Sequence, residues 1–178
     1  MTASPVLISN AGGLDVLAAV AGQLGFHPQD SVVICGLMPP RGRLGPIIRA
    51  DLVSLAHPEA RAAIRANLER VREVGAEGAF VARYRSQLAP SLRDDRAFDE
   101  ALTLVEGLFQ LVGLWDVGPG GIREHDVSTR RPVGPLFGDD DLKGTRAAAA
   151  LVFQGVSTTG RREDLARIGW AAAGERRA

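Results

Sequence analysis

The chain has 178 residues, 46% of them apolar and 24% charged, and its mean hydropathy is +0.03. This composition is typical of a soluble globular domain with a substantial core, and it excludes the disordered classes. Because 21 basic and 21 acidic side chains cancel, no net charge draws the chain to nucleic acid or to an anionic membrane, and we expect neither partner.

Cysteine usage and hydropathy indicate the compartment. Cys35 is the single cysteine, which excludes an internal disulfide and a cysteine-based zinc cluster and fits a reducing cytoplasm. The apolar stretch 14–24 contains Asp15 and is too short to span a bilayer, and no basic region precedes it. We therefore expect a cytoplasmic protein without a signal peptide or a membrane-spanning helix.

The first elements predicted in chain order are a helix and a β-hairpin. Ser9 or Asn10 can cap the helix, whose apolar residues follow helical spacing until a glycine ends it. Residues 26–31 form a turn into a strand over 31–37, and the apolar residues on both faces of that strand predict a central position in a sheet. A second strand over 44–53 is its expected hairpin partner.

The rest of the chain alternates between helices and strands. The predicted order is a helix over 58–74, a strand over 78–84, a helix from 98 to Gly113, two short strands around a Pro-Gly-Gly turn within 114–127, a helix over 140–155 and a last helix over about 160–172. This order predicts an α/β fold in one domain over 1–178: a mixed sheet of about four to five strands with an antiparallel pair, helices packed on it, and a C-terminal helical pair.

Two stretches carry a resemblance to a known family. The first is "LDVLAAVAGQLGFHPQDSVVICGL" with the following "IIRADL", and the second is "AAAALVFQGVSTTGRREDLARI". They are similar to an actinobacterial family, domain of unknown function 4192. In that family a helix leads to a Leu-Gly-Phe-x-Pro-x-Asp-Ser segment, an apolar strand and an Arg-x-Asp-Leu strand, and a later helix ends in glycine. The resemblance implies no activity and transfers no catalytic residue.

His27, Asp30 and Ser31 are the weak candidates for catalysis, because they are the residue types of a hydrolase triad within five positions. A triad requires that the base reach the nucleophile and that a third group orient the base. The alternative is that all three belong to a turn between helix and strand, which the turn chemistry of Asp and Pro favours. His27 keeps interest because a histidine at a sheet end can titrate near neutrality.

Arg49 and Asp51 share one face of the second predicted strand and could bind a polar ligand or each other. A salt-bridged strand face is the favoured interpretation, and such a surface pair contributes about 0–1 kcal/mol. The three aspartates at 139–141 could bind a hard cation such as magnesium. The alternative, which we favour, is that they cap a helix and complement its dipole.

The segment "STTGRRED" over 157–164 is the strongest anion-site candidate. Free amides at a helix start, together with Ser157, Thr159, Arg161 and Arg162, could hold a phosphate. The segment lacks the spacing of a P-loop and a strand before it. Ordinary capping of the last predicted helix by its hydroxyl side chains is the favoured alternative.

Histidine and cysteine spacing predicts no metal site. His57 and His125 lie apart, without a second ligand at metal spacing. Cys35 lies in the middle of an apolar strand, where a buried thiol is inert. The residues identify no cofactor.

The functional expectation is a binding, regulatory or assembly subunit without catalysis, acting as a homo-oligomer or with a protein partner. Apolar helix faces near 98–112 and 142–153 are large enough to leave surface for association. The alternative is an enzyme or sensor that binds a small anionic, phosphate-bearing ligand at the end of the sheet. In that case the polar residues are His27, Asp30 and Arg49, with Arg161 and Arg162 for the anion.

Overall fold

A computed structural model describes residues 12–40, 42–88, 91–156 and 158. Its strands are β1 (Ser31–Met38), β2 (Arg43–Asp51), β3 (Gly78–Tyr84), β4 (Gln110–Gly118), β5 (Gly121–His125) and β6 (Pro132–Phe137). Its helices are α1 (Gly13–Leu24), α2 (Pro58–Glu73), α3 (Leu92–Glu106), α4 (Asp139–Lys143) and α5 (Arg146–Phe153), with a short 3-10 turn at Ser54–Ala56. The α/β class is confirmed.

Within the described residues the six strands form one mixed sheet in the order β2-β1-β3-β4-β5-β6. β1 pairs antiparallel with both β2 and β3, and β4, β5 and β6 form an antiparallel meander. β3 and β4 pair in parallel, and α3 connects them. Their carboxyl ends therefore meet at one edge, where Tyr84 lies opposite Val117.

Two cores cover the two faces of the sheet. Alternation along β1 sends Val32 and Ile34 into the core beneath α2 and α3. It sends Val33 and Cys35 into the core beneath α1, α4 and α5. Because all four side chains are at most 2% exposed, the prediction of a strand covered on both sides is confirmed.

Most of the predicted elements are confirmed. α1 ends at Leu24, and Gly25 follows it with a left-handed φ of 76°, a conformation that glycine adopts without steric cost. The proposed caps Ser9 and Asn10 lie outside the described residues. β1 and β2 form the expected hairpin, and none of the described helices is long and apolar enough to cross a membrane.

The prediction that the third helix extends to Gly113 is wrong. α3 begins after Ser91, whose hydroxyl accepts a hydrogen bond from the Asp94 amide, and it ends at Glu106, with Gly107 as the residue after it. Residues from 110 onward form β4, because pairing with β3 satisfies their backbone groups. Gly113 permits this pairing, since an added Cβ would lie 2.7 Å from Cδ2 of Phe80.

The carboxyl-terminal part of the prediction also needs correction. β6 was not predicted, and it raises the strand number to six. The single helix over 140–155 is two helices, because the chain turns at Gly144 and Thr145 starts α5 by accepting a hydrogen bond from the Ala148 amide at 3.1 Å. The helix predicted over about 160–172 lies outside the described residues.

Candidate functional site

A cavity of about 690 Å³ lies where the parallel strands β3 and β4 end. α1 and α5 form its apolar walls, with Leu17 and Ala21 on one side and Leu151 and Val152 on the other. Its polar lining includes His27, Tyr84, Arg85, Ser86, Lys143 and Thr158. In open α/β sheets the carboxyl ends of parallel strands are a common position for ligands.

Two contacts hold α5 against α1 and so form the walls of this cavity. The carboxylate of Asp15 accepts a hydrogen bond from the Ala147 amide at 2.9 Å, which satisfies a free donor at the start of α5. Gly22 lets the helices approach closely, because an added Cβ would lie 2.4 Å from Cδ1 of Leu151. Asp15 and Gly22 on α1 therefore allow α5 to pack close enough to α1 for the two helices to form the apolar walls.

Asp30 and Ser31 are engaged in local structure. The Ser31 hydroxyl is buried and donates a hydrogen bond to the carbonyl of Gln29. Asp30 adopts a positive φ of 41°. Its carboxylate accepts two hydrogen bonds from Ser86, from the amide at 2.8 Å and from the hydroxyl at 2.6 Å. These contacts fasten the turn before β1 to the end of β3.

His27 is exposed and lines the cavity. It forms no hydrogen bond with Asp30 or Ser31 in the structure. Its Nε2 is 3.3 Å from the hydroxyl of Thr158, the one described residue of the segment 157–164. The structure therefore brings His27 and Thr158 together at the cavity. Ser157, Thr159, Arg161 and Arg162 lie outside the described residues, and their proposed role as an anion site stays a prediction.

Tyr84 lines the cavity and is only 6% exposed. No described residue forms a hydrogen bond with its hydroxyl. Burial raises the pKa of this hydroxyl above its ordinary value, and the nearby Cys35 raises it further. Tyr84 is therefore a neutral hydrogen-bond donor whose hydroxyl is available to the solvent or to a ligand in the cavity.

Arg85 lies next to Tyr84 and also lines the cavity. Its Nε donates a hydrogen bond to the Asp116 carboxylate at 2.9 Å, and its Nη1 donates to the carbonyl of Leu88 at 3.1 Å. Among the described residues none accepts a hydrogen bond from Nη2. Arg85 is thus held in place by two contacts while one nitrogen of its guanidinium stays uncommitted.

Asp116 connects Arg85 to a charged network on the opposite face of the sheet. Its carboxylate also accepts two hydrogen bonds from Arg83, which in turn donates to Asp95 at 2.6 Å and lies over the Phe98 ring at 4.7 Å. Burial opposes the charge of Asp116, but the hydrogen bonds and charges of Arg83 and then Arg85 outweigh it, so the pKa of Asp116 lies below its ordinary value.

This network was not predicted from the sequence, although a signal for it exists. Arg83 and Asp116 interrupt two apolar strands, and a charge within a buried strand is usually paired. Their register in the parallel pair places them side by side. With Asp95 and His125 they line a second, smaller cavity of about 310 Å³.

Arg49 and Asp51 form an ion pair with each other on β2. The Arg49 guanidinium also lies over the Phe26 ring at 5.6 Å. Arg49 lines a separate cavity between β2 and α2, so it does not share the sheet-end cavity with His27. A role for the Arg49–Asp51 pair in binding a ligand stays a prediction.

The aspartates at 139–141 lie at the start of α4. Asp141 accepts a hydrogen bond from the Gly138 amide at 2.8 Å, and Asp140 pairs with Lys143 at 3.1 Å. In the described residues no group of three or more histidine, cysteine, aspartate or glutamate side chains could hold a metal ion.

The remaining histidines and the cysteine lie away from the sheet-end cavity. His57 is the residue before α2, and Nδ1 of His125 is 3.0 Å from the Arg130 carbonyl. Cys35 is fully buried, and burial raises the pKa of its thiol above the ordinary value. Its thiol is therefore neutral and out of reach of a substrate.

A family model matches residues 14–177, nearly the whole chain. The chain belongs to the DUF4192 family, a domain of unknown function. No curated protein and no solved structure matches it significantly. Because the DUF4192 description assigns no activity, the function of the chain must be argued from its geometry.

The segment by which the chain resembles DUF4192 has an architectural role in this structure. Gly25 ends α1, Phe26 is buried beneath Arg49, and Asp30 holds the end of β3 through Ser86. The same turn also forms part of the sheet-end cavity, since Pro28 and His27 line it. The DUF4192 motif therefore shapes the candidate site through the backbone, while Tyr84 and Arg85 provide the uncommitted donors.

Proposed function

We propose that this chain is a non-catalytic binding domain that holds a small anionic ligand in the cavity at the end of the sheet. The observation that carries the proposal is the pair of uncommitted donors on adjacent residues, the Tyr84 hydroxyl and Nη2 of Arg85, in one cavity. Donors that line a cavity and lack a protein acceptor can bind a ligand or a water there.

The proposed absence of catalysis is supported by the state of the candidate nucleophiles. The Ser31 hydroxyl is buried and bonded to a carbonyl, and the Cys35 thiol is buried and neutral. Asp30, the proposed orienting acid, is committed to Ser86. A nucleophile needs an adjacent base within hydrogen-bond reach, and neither Ser31 nor Cys35 has a histidine among its hydrogen-bond partners in the described chain.

A cytoplasmic location is part of the same proposal. It is supported by the lone Cys35, since proteins exported to oxidising compartments commonly contain paired cysteines. Fractionation of the host cells tests it, with the chain expected in the cytoplasmic fraction.

A ligand screen with a pair of matched variants tests the proposal. Ala148 on α5 lines the cavity, whereas the neighbouring Ala149 is exposed and does not. A thermal-shift screen of small anions should give ligands that stabilise the chain by about 2.7 kcal/mol at one hundred times their dissociation constant. We expect Ala148→Phe to abolish this shift and Ala149→Phe to preserve it.

The enzyme alternative makes a different prediction in the same screen. Ligands recovered after incubation should be chemically unchanged if the chain only binds them. Mass spectrometry that detects a protein-dependent product would contradict the non-catalytic part of the proposal. A screen that gives no ligand, or only ligands unaffected by Ala148→Phe, would contradict the cavity as the binding site.

Association with a second copy or a protein partner is a second candidate function. It is supported by the apolar side chain of Phe153 at the end of α5, which is 95% exposed. Light scattering during size-exclusion chromatography tests self-association. A dimer that Phe153→Ser converts to monomers would support it, and a monomer at all concentrations would exclude this form of it.

A further inference from the structure

We infer that the ligand of the sheet-end cavity is an amphipathic monocarboxylate, with its acid group at Tyr84 and Arg85 and its apolar body between α1 and α5. This inference rests on the proposed function and adds the class of ligand. It names a different ligand class from the phosphate-bearing ligand expected from the sequence, which stays a prediction. Two observations support the inference: the charge at the polar end of the cavity and the apolar side chains of its walls.

The walls favour a ligand with an apolar body. Leu17, Ala21 and Ile122 line the cavity from α1 and β5, and Leu151 and Val152 line it from α5. The volume of about 690 Å³ lies within the range of small-molecule sites, which is about 300–1,000 Å³. A purely polar anion such as free phosphate would leave this apolar surface uncovered.

Among the described residues, the polar end of the cavity provides two cations, Arg85 and Lys143, and each of them is paired with a carboxylate. Arg85 donates its Nε to Asp116, so it cannot present the paired Nε and Nη2 donors of a bidentate fork to a ligand. The nearby Lys143 pairs with Asp140, and Asp139 adds a negative charge to the same rim. In the described part of the chain both cations are thus already paired, which favours a singly charged group over a dianionic phosphate.

The uncommitted donors match a carboxylate in number and charge. Nη2 of Arg85 is a charged donor, and the Tyr84 hydroxyl is a neutral one. A carboxylate has two oxygens and one charge, so each oxygen can accept one of these hydrogen bonds. Because burial raises the pKa of the Tyr84 hydroxyl above its ordinary value, the hydroxyl is protonated and can donate at neutral pH.

Four eight-carbon compounds with different head groups test the inference on the full chain. Octanoate, octyl phosphate, octanol and octylammonium are titrated separately by calorimetry. We expect octanoate to bind with a dissociation constant at least about tenfold lower than each of the others, because a hydrogen bond to a charged group contributes about one such factor. Acetate, which lacks the apolar body, should bind more weakly still.

Two substitutions identify the residues that bind the head group. Tyr84→Phe and Arg85→Gln should each weaken octanoate about tenfold and leave octanol unchanged. Asp116 keeps its contacts with Arg83 in the Arg85 variant, which preserves the network. Arg72→Gln, at an exposed arginine of α2 that does not line the cavity, is the matched control and should not affect either compound.

The outcomes separate this inference from the proposed function. Octyl phosphate, octanol or octylammonium binding as tightly as octanoate overturns the inference, and so does octanoate binding that is unaffected by both substitutions. If none of the four binds but the anion screen gives a ligand that is lost in Ala148→Phe, the inference fails and the proposed function stands. If the screen also gives none, both fail. The comparison of head groups uses the unaltered chain and does not depend on how the variants fold.

Discussion

Tyr84 and Asp116 lie on neighbouring parallel strands, and their polar atoms differ in how many hydrogen bonds they form. The carboxylate of Asp116 accepts three hydrogen bonds from two arginines. The hydroxyl of Tyr84 has no partner among the described residues, although both residues are at most 7% exposed. Asp116 is therefore engaged with its neighbours in the folded chain, whereas the Tyr84 hydroxyl is available to a ligand.

This contrast predicts the effect of Tyr84→Phe on the ligand-free chain. The substitution removes a hydroxyl that has no acceptor among the described residues, so the free energy of unfolding should change by less than about 0.5 kcal/mol. Urea denaturation measures it. Ser31→Ala is the matched comparison, because its hydroxyl has an acceptor, and it should lower the free energy of unfolding by about 1 kcal/mol. A loss of stability in Tyr84→Phe comparable to that of Ser31→Ala would show that the hydroxyl is engaged in the folded chain.

The raised pKa of Tyr84 predicts a loss of stability at alkaline pH. The hydroxyl ionises in the unfolded chain near its ordinary pKa of about 10 and stays protonated in the folded chain. Its contribution is therefore complete below about pH 10 and decreases as the pH rises further. Absorbance at about 295 nm, where tyrosinate absorbs, should increase only as the chain unfolds, because Tyr84 is the only tyrosine. An increase in the folded chain near pH 10 would contradict this account.

The lowered pKa of Asp116 predicts a loss of stability at acidic pH. Because the folded chain favours the carboxylate, its contribution is complete above about pH 4 and is lost as the pH falls through the lower pKa of the folded state. Asp116→Asn should remove this dependence and lower the free energy of unfolding at neutral pH by about 3 kcal/mol, since it leaves Arg85 without a counter-charge and Arg83 with Asp95 alone. Glu77→Gln, at an exposed carboxylate, should change neither. Parallel acid titrations of Asp116→Asn and the unaltered chain would contradict the network.

At the scale of elements, the position of α1 depends on close contact with the sheet. An added Cβ at Gly13 would lie 2.2 Å from Cζ2 of the buried Trp115, whereas one at Gly12 would have nothing within 4 Å. Gly13→Ala should therefore lower the free energy of unfolding by about 2 kcal/mol through overpacking. Gly12→Ala should change it by less than about 1 kcal/mol. Thermal denaturation of the two variants measures the difference, and equal effects would contradict the tight docking of α1.

The elements that could be predicted are those whose own residues determine them. The turn over 26–31 and β1 follow from a glycine, a proline and an apolar run, and the structure confirms both. The boundary between α3 and β4 could not be predicted, because the apolar spacing continues past Gly107 and only pairing with β3 selects the strand. β6 is a mostly exposed edge strand that pairs with β5. Because it buries few side chains, its sequence lacks the alternation of apolar residues that would predict a strand.

At the scale of the whole molecule, the candidate site combines parts of the chain that lie far apart in sequence. His27 precedes β1, Tyr84 and Arg85 end β3, and Thr158 follows α5. His27 could be predicted as a residue at the end of the sheet, because the turn around it is local. Tyr84 and Arg85 could not be chosen from the sequence, because their importance depends on which neighbours leave them without a partner.

The central claim is that a small anionic ligand binds at the Tyr84 hydroxyl inside the sheet-end cavity. The most direct measurement is carbon NMR of the full chain with tyrosine labelled at Cζ alone, which gives one signal because the chain has one tyrosine. Titration with the anions that stabilise the chain should shift this signal in a saturable way, and Ala148→Phe should abolish the shift. A signal that stays fixed while those anions bind would place the ligand elsewhere and contradict the claim.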